Sequence, residues 1–169
     1  MRKYCAECVI LSNHVAALLL AVIGACCTLV PARAQQCSDL VAQFVVREGG
    51  IDRPLCGRAG DAARGRVIVA GRQGNCLACH AAPIPEQAFH GDIGPPLHGV
   101  AGRLSEAELR LQVVDATRIN EETVMPPFHR VAGLTGVRRD RVGQPLLSAM
   151  EVEDVIAYLL TLKQDQAQE

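Results

Sequence analysis

An all-α domain is the fold class that the sequence predicts, and three observations support it. Apolar residues recur at helical spacing over residues 62–72, 105–118 and 148–162. Two of these segments open with a serine followed three residues later by a glutamate, the pattern of an N-terminal capping box (Ser105 with Glu108, Ser148 with Glu151). Between the first two segments lies Cys76-Leu77-Ala78-Cys79-His80, a C-x-x-C-H motif. This motif is the attachment signature of a c-type haem, so helices around one covalently attached haem are expected.

The spacing of Cys76, Cys79 and His80 matches what haem attachment requires. Two thiols two residues apart can reach the two vinyl groups as thioethers, and the adjacent histidine then lies beneath the iron as its proximal ligand. Two alternatives are a thioredoxin-like C-x-x-C and half of a zinc site. A redox motif does not need the histidine, and a zinc ribbon needs a second ligand pair downstream, which this chain lacks.

Residues 1–34 are predicted to be a signal peptide. Arg2 and Lys3 provide a positive start, residues 15–30 form an apolar run, and residues 32–34 read Ala-Arg-Ala, an A-x-A cleavage site. The run is shorter than the roughly 20 residues that a membrane span needs. A weak lipoprotein-like pattern ends at Cys26, but the A-x-A site fits export better. We therefore expect cleavage after Ala34, a periplasmic protein and no membrane span after cleavage.

Composition is consistent with a small exported domain that contains a large cofactor. Hydrophobic residues make up 49% of the 169-residue chain, but aromatic residues only 3%, with no Trp, so a porphyrin would supply missing bulk to the core. Loss of the signal peptide leaves 14 basic and 17 acidic residues, a net charge of −3. So balanced a charge argues against nucleic acid as a partner.

Residues 35–60 are predicted to be an N-terminal extension preceding the haem domain at 61–163 and a polar tail at 164–169. The two remaining cysteines of the exported chain, Cys37 and Cys56, are expected to pair, because thiols in an oxidising compartment usually do. Such a bond would stabilise the fold by about 3 kcal/mol in the chain-entropy model. A short helix capped by Ser38 is expected over residues 40–45, ending at Gly49-Gly50.

Two methionines of the exported chain could serve as a second iron ligand. Met125 precedes Pro126, which pushes it out of the helical region and into a loop, where its thioether can be aimed at a metal. Met150 falls in the first turn of the last helix and is the less favoured candidate. The loop over residues 81–99 is expected to be ordered and to cover the cofactor, because Ile84, Phe89 and Ile93 are interspersed among its prolines and glycines.

The order of these parts resembles class I cytochrome c. The resemblance rests on residues 76–80, 94–103 and 125–128 and on the closing Val155-Ile156-Ala157-Tyr158-Leu159 helix. In that family the first and last helices cross at a glycine and an aromatic residue, which Gly65 and Tyr158 match here. A narrower resemblance, over residues 53–163 and including the 133–137 insertion, is to the SoxX family, the monohaem subunits of SoxAX cytochromes of bacterial sulfur oxidation.

The resemblance implies a set of site residues. His80 and Met125 would be the axial ligands, the Pro95 carbonyl would accept a hydrogen bond from His80, and Arg103 would lie near a haem propionate. Ligation by two histidines is the alternative, with His90, His98 or His129 in place of Met125. His98 is expected to be a structural residue bonded to the backbone, and His90 and His129 are expected to be exposed.

The resemblance also implies a function in electron transfer. The expected partners are a SoxA-type cytochrome in a heterodimer, a sulfur carrier protein contacted indirectly, and a downstream acceptor cytochrome. The whole complex would act as an L-cysteine S-thiosulfotransferase, with no catalytic residue in this chain. A free-standing periplasmic electron carrier is the alternative, and a haem-based sensor or peroxidase would need an open sixth position.

Overall fold

The computed structural model describes residue 37 and residues 41–163, and the signal peptide and polar tail predicted above lie outside the described residues. The described residues form four α-helices: α1 (Ala62–Ala70), α2 (Val100–Arg103), α3 (Glu106–Asp115) and α4 (Ala149–Leu159). Short 3₁₀ helices lie at Cys76–Ala78, Ala116–Arg118 and Arg139–Arg141. Within the described ranges, β-pairing is limited to one bridge between Arg47 and Gly50. The all-α prediction is confirmed.

Helix α1 crosses α4 at Gly65. The Asp61 side chain caps α1 by accepting a hydrogen bond from the Arg64 amide at 2.8 Å. A Cβ atom on Gly65 would lie 1.9 Å from the Asp154 carbonyl oxygen and 3.0 Å from Cβ of Tyr158. Only a residue without a side chain permits so close an approach of two helix backbones, and the crossing predicted from Gly65 and Tyr158 is confirmed.

Both predicted capping boxes are present. Ser105 accepts a hydrogen bond from the Glu108 amide, and the Glu108 carboxylate accepts one from the Ser105 amide at 2.8 Å. Ser148 and Glu151 form the same reciprocal pair at the start of α4. Each box satisfies two backbone donors that an uncapped helix would leave unpaired, which sets the start of each helix.

The core lies among α1, α3, α4 and the loops between them. Its buried residues include Val69, Leu109, Val113, Val114, Phe128, Leu147, Val152, Val155, Ile156, Tyr158 and Leu159. The aliphatic residues of α4 fall on the face predicted from their spacing. In the part of the chain that the structure describes, no helix combines the length and the apolarity that crossing a bilayer would require.

The helix predicted over residues 40–45 is wrong. Residues 41–46 have no regular secondary structure, and residues 47–50 form a tight turn. The backbone of this segment is bonded to the haem domain instead: the Ala42 amide donates to Nε2 of His129 at 2.9 Å, and the Ile51 amide donates to the Ala107 carbonyl at 2.9 Å. A helix as short as the predicted one is only marginally stable on its own. The tertiary hydrogen bonds therefore decide the conformation of this segment.

A buried ion pair joins the N-terminal extension to α3 and α4. The Arg110 side chain is 0% exposed, and its Nε lies 3.0 Å from a Glu153 oxygen that is itself 1% exposed. Arg110 also donates to the Ile51 carbonyl at 2.7 Å and bonds Glu106, while Glu153 accepts from the Leu55 amide at 2.8 Å. Burial opposes the charge, but the bonds to Glu153 outweigh it and raise the pKa of Arg110.

Candidate haem site

The C-x-x-C-H motif folds as a tight turn directly after α1. Asn75 adopts a left-handed conformation (φ 50°), and residues 76–78 form a 3₁₀ turn. The amides of Cys79 and His80 both donate to the Cys76 carbonyl, at 3.1 and 2.9 Å. The turn brings the two thiols and the imidazole close together along the chain, and Cys76 and Cys79 are not joined to each other.

The His80 ring is held by the loop that follows it. Nδ1 lies 2.6 Å from the Pro95 carbonyl oxygen, so this nitrogen donates and the lone pair of Nε2 is left available to bind a metal. The ring packs directly on Gly94, where a Cβ atom would lie 2.3 Å from Cε1. The Gly94 amide donates to the Cys79 carbonyl at 2.8 Å, which ties this loop back to the motif. The hydrogen bond to Pro95 and the packing on Gly94 together fix the plane of the imidazole.

Met125 lies in the loop between α3 and α4, as Pro126 requires. Its amide donates to the Thr123 hydroxyl at 3.2 Å. Met125 and His80 line the same three cavities, whose volumes are about 270, 40 and 350 Å³. Met150 lies in the first turn of α4 and lines none of these cavities.

The residues around these cavities fit a haem. The three volumes taken together lie within the range of about 300–1,000 Å³ usual for ligand pockets. Cys76 lines two of the cavities and Cys79 one, and apolar side chains complete the walls, among them Val113, Phe128 and Leu147. The site therefore combines two unpaired thiols, an imidazole nitrogen and a thioether around an apolar space, the donor set that a c-type haem needs.

Arg103 and the loop before it form one wall of the 350 Å³ cavity. The guanidinium donates to the carbonyls of Pro96 and His98, both at 2.6 Å. These bonds brace the loop that also carries Pro95. The sequence resemblance placed Arg103 near a propionate, and the structure places it at the edge of the cavity with its side chain cross-linking the loop.

The predicted disulfide lies away from this site. Cys37 and Cys56 are bonded in the structure, with their Cα atoms 5.3 Å apart. A larger cavity, of about 580 Å³, is lined by residues 43–45 and 51–55 of the N-terminal extension together with Arg47. It contains none of the motif residues and is not the haem site.

The thioredoxin-like alternative is not supported by the environment of the motif. Burial raises the pKa of the Cys76 thiol to about 11, whereas redox-active thiols have a lowered pKa. As for the zinc alternative, the described residues contain no group of three or more His, Cys, Asp or Glu side chains arranged to hold a metal ion.

The three histidines considered as alternative ligands, His90, His98 and His129, do not line these three cavities. The expectation that His129 is exposed is wrong: it is 0% exposed, Nδ1 lies 2.8 Å from the Leu147 carbonyl and Nε2 accepts from the Ala42 amide. Both of its ring nitrogens are therefore engaged. The expectation that His90 is exposed is also wrong, because the residue is half-buried and its Nδ1 accepts from the Ala82 amide at 3.3 Å. Nδ1 of His98 is buried without a protein partner, so the backbone bond expected of His98 is not made by this atom. Replacement of Met125 by one of these histidines would require the site to rearrange.

The loop over residues 81–99 is only partly as expected. Ile84 is fully buried, but Phe89 is 91% exposed and Ile93 is 68% exposed. Apolar spacing within a loop does not determine which side chains face the core, because a loop has no fixed period. Ile93 nevertheless lies at the rim of the 270 Å³ cavity.

Sequence reasoning missed Gln112, which lies in α3 and lines two of the three cavities. Its Nε2 donates to the sulfur of Met125 at 3.3 Å. The available signal was a polar residue between Leu111 and Val113, both of which are buried.

The fold and the site together define a c-type cytochrome, and comparison with known proteins agrees. The cytochrome c family profile matches residues 62–163, so the chain belongs to the cytochrome c family, whose cofactor is a covalently bound haem c with iron. Among solved structures, the chain is 37% identical to a chain of the "Crystal structure of SoxXA from P. pantotrophus", with a TM-score of 0.66. The match covers 72% of this chain and 95% of that one. The SoxX-type resemblance is confirmed, and the chain is an electron-transfer cytochrome of that type. Comparison with curated proteins gave no match.

Proposed function

We propose that this chain is the electron-transfer subunit of a periplasmic SoxAX-type complex that oxidises thiosulfate. The observation that carries the proposal is the joint placement of His80 and Met125 on the same cavities, beside the two motif thiols. If His80 and Met125 both held the iron of a haem, the group would supply one-electron exchange and would have no position open to a substrate. The similarity to a chain of SoxXA supports the choice of complex.

The proposed roles of the site residues follow from their contacts. Cys76 and Cys79 would hold one haem as thioethers, and His80 and Met125 would bind its iron. The Pro95 carbonyl holds the His80 ring in the tautomer whose Nε2 faces the metal. A thioether ligand favours the ferrous state and gives a higher potential than a second histidine would. When bound, the haem supplies one-electron exchange between ferric and ferrous iron.

Arg103 has a proposed role at the haem edge. Its charge would favour a propionate in the cavity that it lines, in addition to the two loop carbonyls that it already bonds. Arg103 would then contact both the loop that orients His80 and the charged edge of the cofactor.

The sulfur chemistry takes place outside this chain. A carrier-protein cysteine loses its thiol proton and forms a new S–S bond with the terminal sulfur of thiosulfate, which releases two electrons. These electrons pass one at a time through this subunit to a downstream acceptor cytochrome. No thiol nucleophile remains here, because Cys76 and Cys79 hold haem and Cys37 and Cys56 are paired. We therefore assign this chain no catalytic residue, although the whole complex is an L-cysteine S-thiosulfotransferase.

A SoxA-type cytochrome subunit is the proposed partner, in a heterodimer. Val124 is 79% exposed and Ile93 is 68% exposed, and both lie at the rim of the 270 Å³ cavity. Apolar side chains in such a position suit a partner that covers the haem edge. The insertion over residues 129–147 offers further surface, with exposed arginines and Val142 67% exposed. A free-standing carrier would have less need of these surfaces.

The proposal also includes export and the domain organisation given above. Residues 1–34 would be removed after Ala34, and the mature protein would comprise the extension at 35–60 with its disulfide, the cytochrome c domain at 61–163 and the tail at 164–169. The disulfide requires an oxidising compartment, which agrees with a periplasmic location.

An absorption spectrum tests the ligand assignment. Ferric haem bound by a thioether shows a weak far-red band, so the wild-type protein should show it and Met125→Ala should lose it. Met150→Ala is the matched control and should retain the band. A band that survives in Met125→Ala, or is absent from the wild type, would contradict the assignment.

Reconstitution tests the function. The haem-loaded chain, mixed with a SoxA-type cytochrome, a carrier protein and thiosulfate, should become reduced, and omission of any one component should prevent reduction. A stable one-to-one complex should elute from gel filtration. No complex and no thiosulfate-dependent reduction would favour a free-standing carrier instead.

A further inference from the structure

A buried carboxylate lies where the chain leaves α3 for the loop that contains Met125 (the Met125 loop, residues 116–130). Asp115 is the last residue of α3, and its side chain is 2% exposed. One of its oxygens lies 3.5 Å from Nε of Arg118 and 3.6 Å from Nη1 of Arg130. Arg118 is near the start of the loop and Arg130 is at its end. One carboxylate therefore pairs with both ends of the loop.

The Thr117 hydroxyl connects the same groups. It donates to the second oxygen of Asp115 at 2.6 Å and accepts from Nη1 of Arg130 at 3.2 Å. Nε of Arg130 is buried and has no hydrogen-bond partner within the described part of the chain. The partly buried guanidinium therefore relies on Asp115 for a compensating charge, because a desolvated charge is costly without one.

Main-chain bonds hold the end of the loop against the last turn of α3. The Phe128 amide donates to the Val113 carbonyl at 3.2 Å, and the His129 amide donates to the Val114 carbonyl at 3.1 Å. All four of these residues are buried. Asp115 follows Val114 directly, so its side chain extends this pairing by one more contact between the helix and the returning chain.

The N-terminal extension covers the same cluster. The Arg118 guanidinium lies 5.8 Å from the centre of the Phe44 ring, a distance suited to a cation–π contact. The Ala42 amide donates to Nε2 of His129 at 2.9 Å, next to the end of the loop. The extension therefore supports both ends of the Met125 loop from outside.

The middle of the Met125 loop has little support of its own. Residues 118–122 are exposed, and Val124 is 79% exposed. The amides of Ile119 and Asn120 donate to the Ala116 carbonyl, both at 3.0 Å, so these bonds lie within the loop itself. A segment with exposed side chains and local backbone bonds opens at a low cost in free energy. The contacts at its two ends therefore decide how often it opens.

We propose that Asp115 is a positioning residue, which holds the two ends of the Met125 loop together and so keeps the Met125 thioether where it would bind iron. The inference rests on the proposed role of Met125 as an axial ligand. Asp115 lines none of the three cavities, and its effect is transmitted through Arg118 and Arg130. Without its charge the two guanidinium groups lack a common carboxylate, and the loop opens more often.

Imidazole binding to the ferric, haem-loaded protein measures how often the loop opens. Imidazole can bind in place of Met125 only in the open form, so its apparent Kd equals the intrinsic Kd divided by the open fraction. Asp115→Asn keeps the size of the side chain and an oxygen that can accept from Thr117, but it removes the charge. Asp154→Asn is the matched control, because the Asp154 side chain is 4% exposed and pairs with Arg64 at 2.8 Å, on α4 and away from the loop.

Asp115→Asn should bind imidazole about tenfold more tightly than the wild type, because a hydrogen bond to a charged group is worth at least about that factor in an equilibrium constant. Thr117→Val has nearly the same shape and removes only the hydroxyl, so its change should be smaller and in the same direction. Asp154→Asn should keep the wild-type affinity for imidazole, although both carboxylate variants should lower the free energy of unfolding in urea.

Amide hydrogen exchange, followed by mass spectrometry, is a readout that does not depend on the iron ligand. Residues 119–130 should exchange faster in Asp115→Asn than in the wild type, and at the wild-type rate in Asp154→Asn. In Asp154→Asn the faster exchange should instead be confined to α1 and α4, whose contact Asp154 supports through Arg64.

The outcomes separate this inference from the ligand assignment. Wild-type imidazole affinity and wild-type exchange in Asp115→Asn would overturn the inference alone, and so would an equal gain in affinity in Asp154→Asn, which would indicate a general loss of structure. If Asp115→Asn does not fold, an unchanged affinity in Thr117→Val would overturn it. A wild type without the far-red band would overturn the assignment of Met125 itself, and hydrogen exchange would then show separately whether Asp115 holds the loop.

Discussion

Replacement of Arg110 by methionine tests the buried ion pair that joins the N-terminal extension to the helices. The change removes every bond from the guanidinium and leaves the Glu153 carboxylate 1% exposed, with the Leu55 amide at 2.8 Å as its remaining partner. Loss of one member of a buried pair costs about 3–5 kcal/mol, because the other charge stays desolvated and unpaired. We expect Arg110→Met to lower the free energy of unfolding by that amount at neutral pH.

The partner variant separates the unpaired charge from other effects. Glu153→Gln keeps an oxygen that can accept from the Leu55 amide but carries no charge. The double variant should therefore recover much of the stability that Arg110→Met loses, and the difference gives the coupling free energy. Arg138→Met is the matched control, since Arg138 pairs with Asp140 at the surface, where such a bond is worth about 1 kcal/mol or less.

Urea unfolding of the ferric, haem-loaded protein is the assay. Soret absorbance and circular dichroism should give coincident transitions, and the midpoint should shift with an unchanged slope. If Arg110→Met lowers the free energy of unfolding by no more than Arg138→Met does, the buried ion pair does not stabilise the fold as argued. If the double variant is as unstable as Arg110→Met, the cost does not come from the unpaired Glu153 charge.

Two further predictions concern the helices. Gly65→Ala should destabilise the protein by about 1–3 kcal/mol through overpacking, although alanine is the better helix former, because its Cβ would lie 1.9 Å from the Asp154 carbonyl. Gly102→Ala, whose Cβ would meet only an oxygen at 3.4 Å, is the control, and equal unfolding midpoints for the two would contradict the crossing argument. Hydrogen bonds from the Ser105 amide and hydroxyl lower the pKa of Glu108 in the folded protein. The ionised Glu108 side chain therefore stabilises the fold fully at a pH above the ordinary glutamate pKa of about 4.3. This stabilisation is lost as the pH falls through the lower pKa of the folded state. Melting temperatures of the wild type and Glu108→Gln should differ at pH 7 and converge under acid conditions, and a difference that does not change with pH would refute this account.

Local features were the ones that the sequence predicted well. The C-x-x-C-H motif needs only five consecutive residues, and each capping box needs only four, so their geometry follows from the chain itself. The crossing at Gly65 was also predictable, because a glycine inside a helix is costly unless another backbone approaches it closely. Met125 was placed in a loop for an equally local reason, the restriction imposed by Pro126.

Nonlocal features were decided by the tertiary structure. Residues 41–46 have helical spacing but form no regular secondary structure, because Ala42 is bonded to His129, 87 residues away. His129 itself is buried for the same reason, contrary to expectation.

The polar side chains that matter most here also escaped sequence reasoning. Arg110 pairs with Glu106 within α3, which the spacing of four residues allows, but its buried partner Glu153 is 43 residues away in the chain. Gln112 reaches the Met125 sulfur only because the fold brings α3 and the Met125 loop together. The sequence by itself determined the haem-attachment motif, the starts of α1, α3 and α4, and the candidate ligands His80 and Met125. Only the tertiary structure decided which polar groups are buried and paired, because a buried charge or amide is tolerated only where a distant part of the chain supplies its partner.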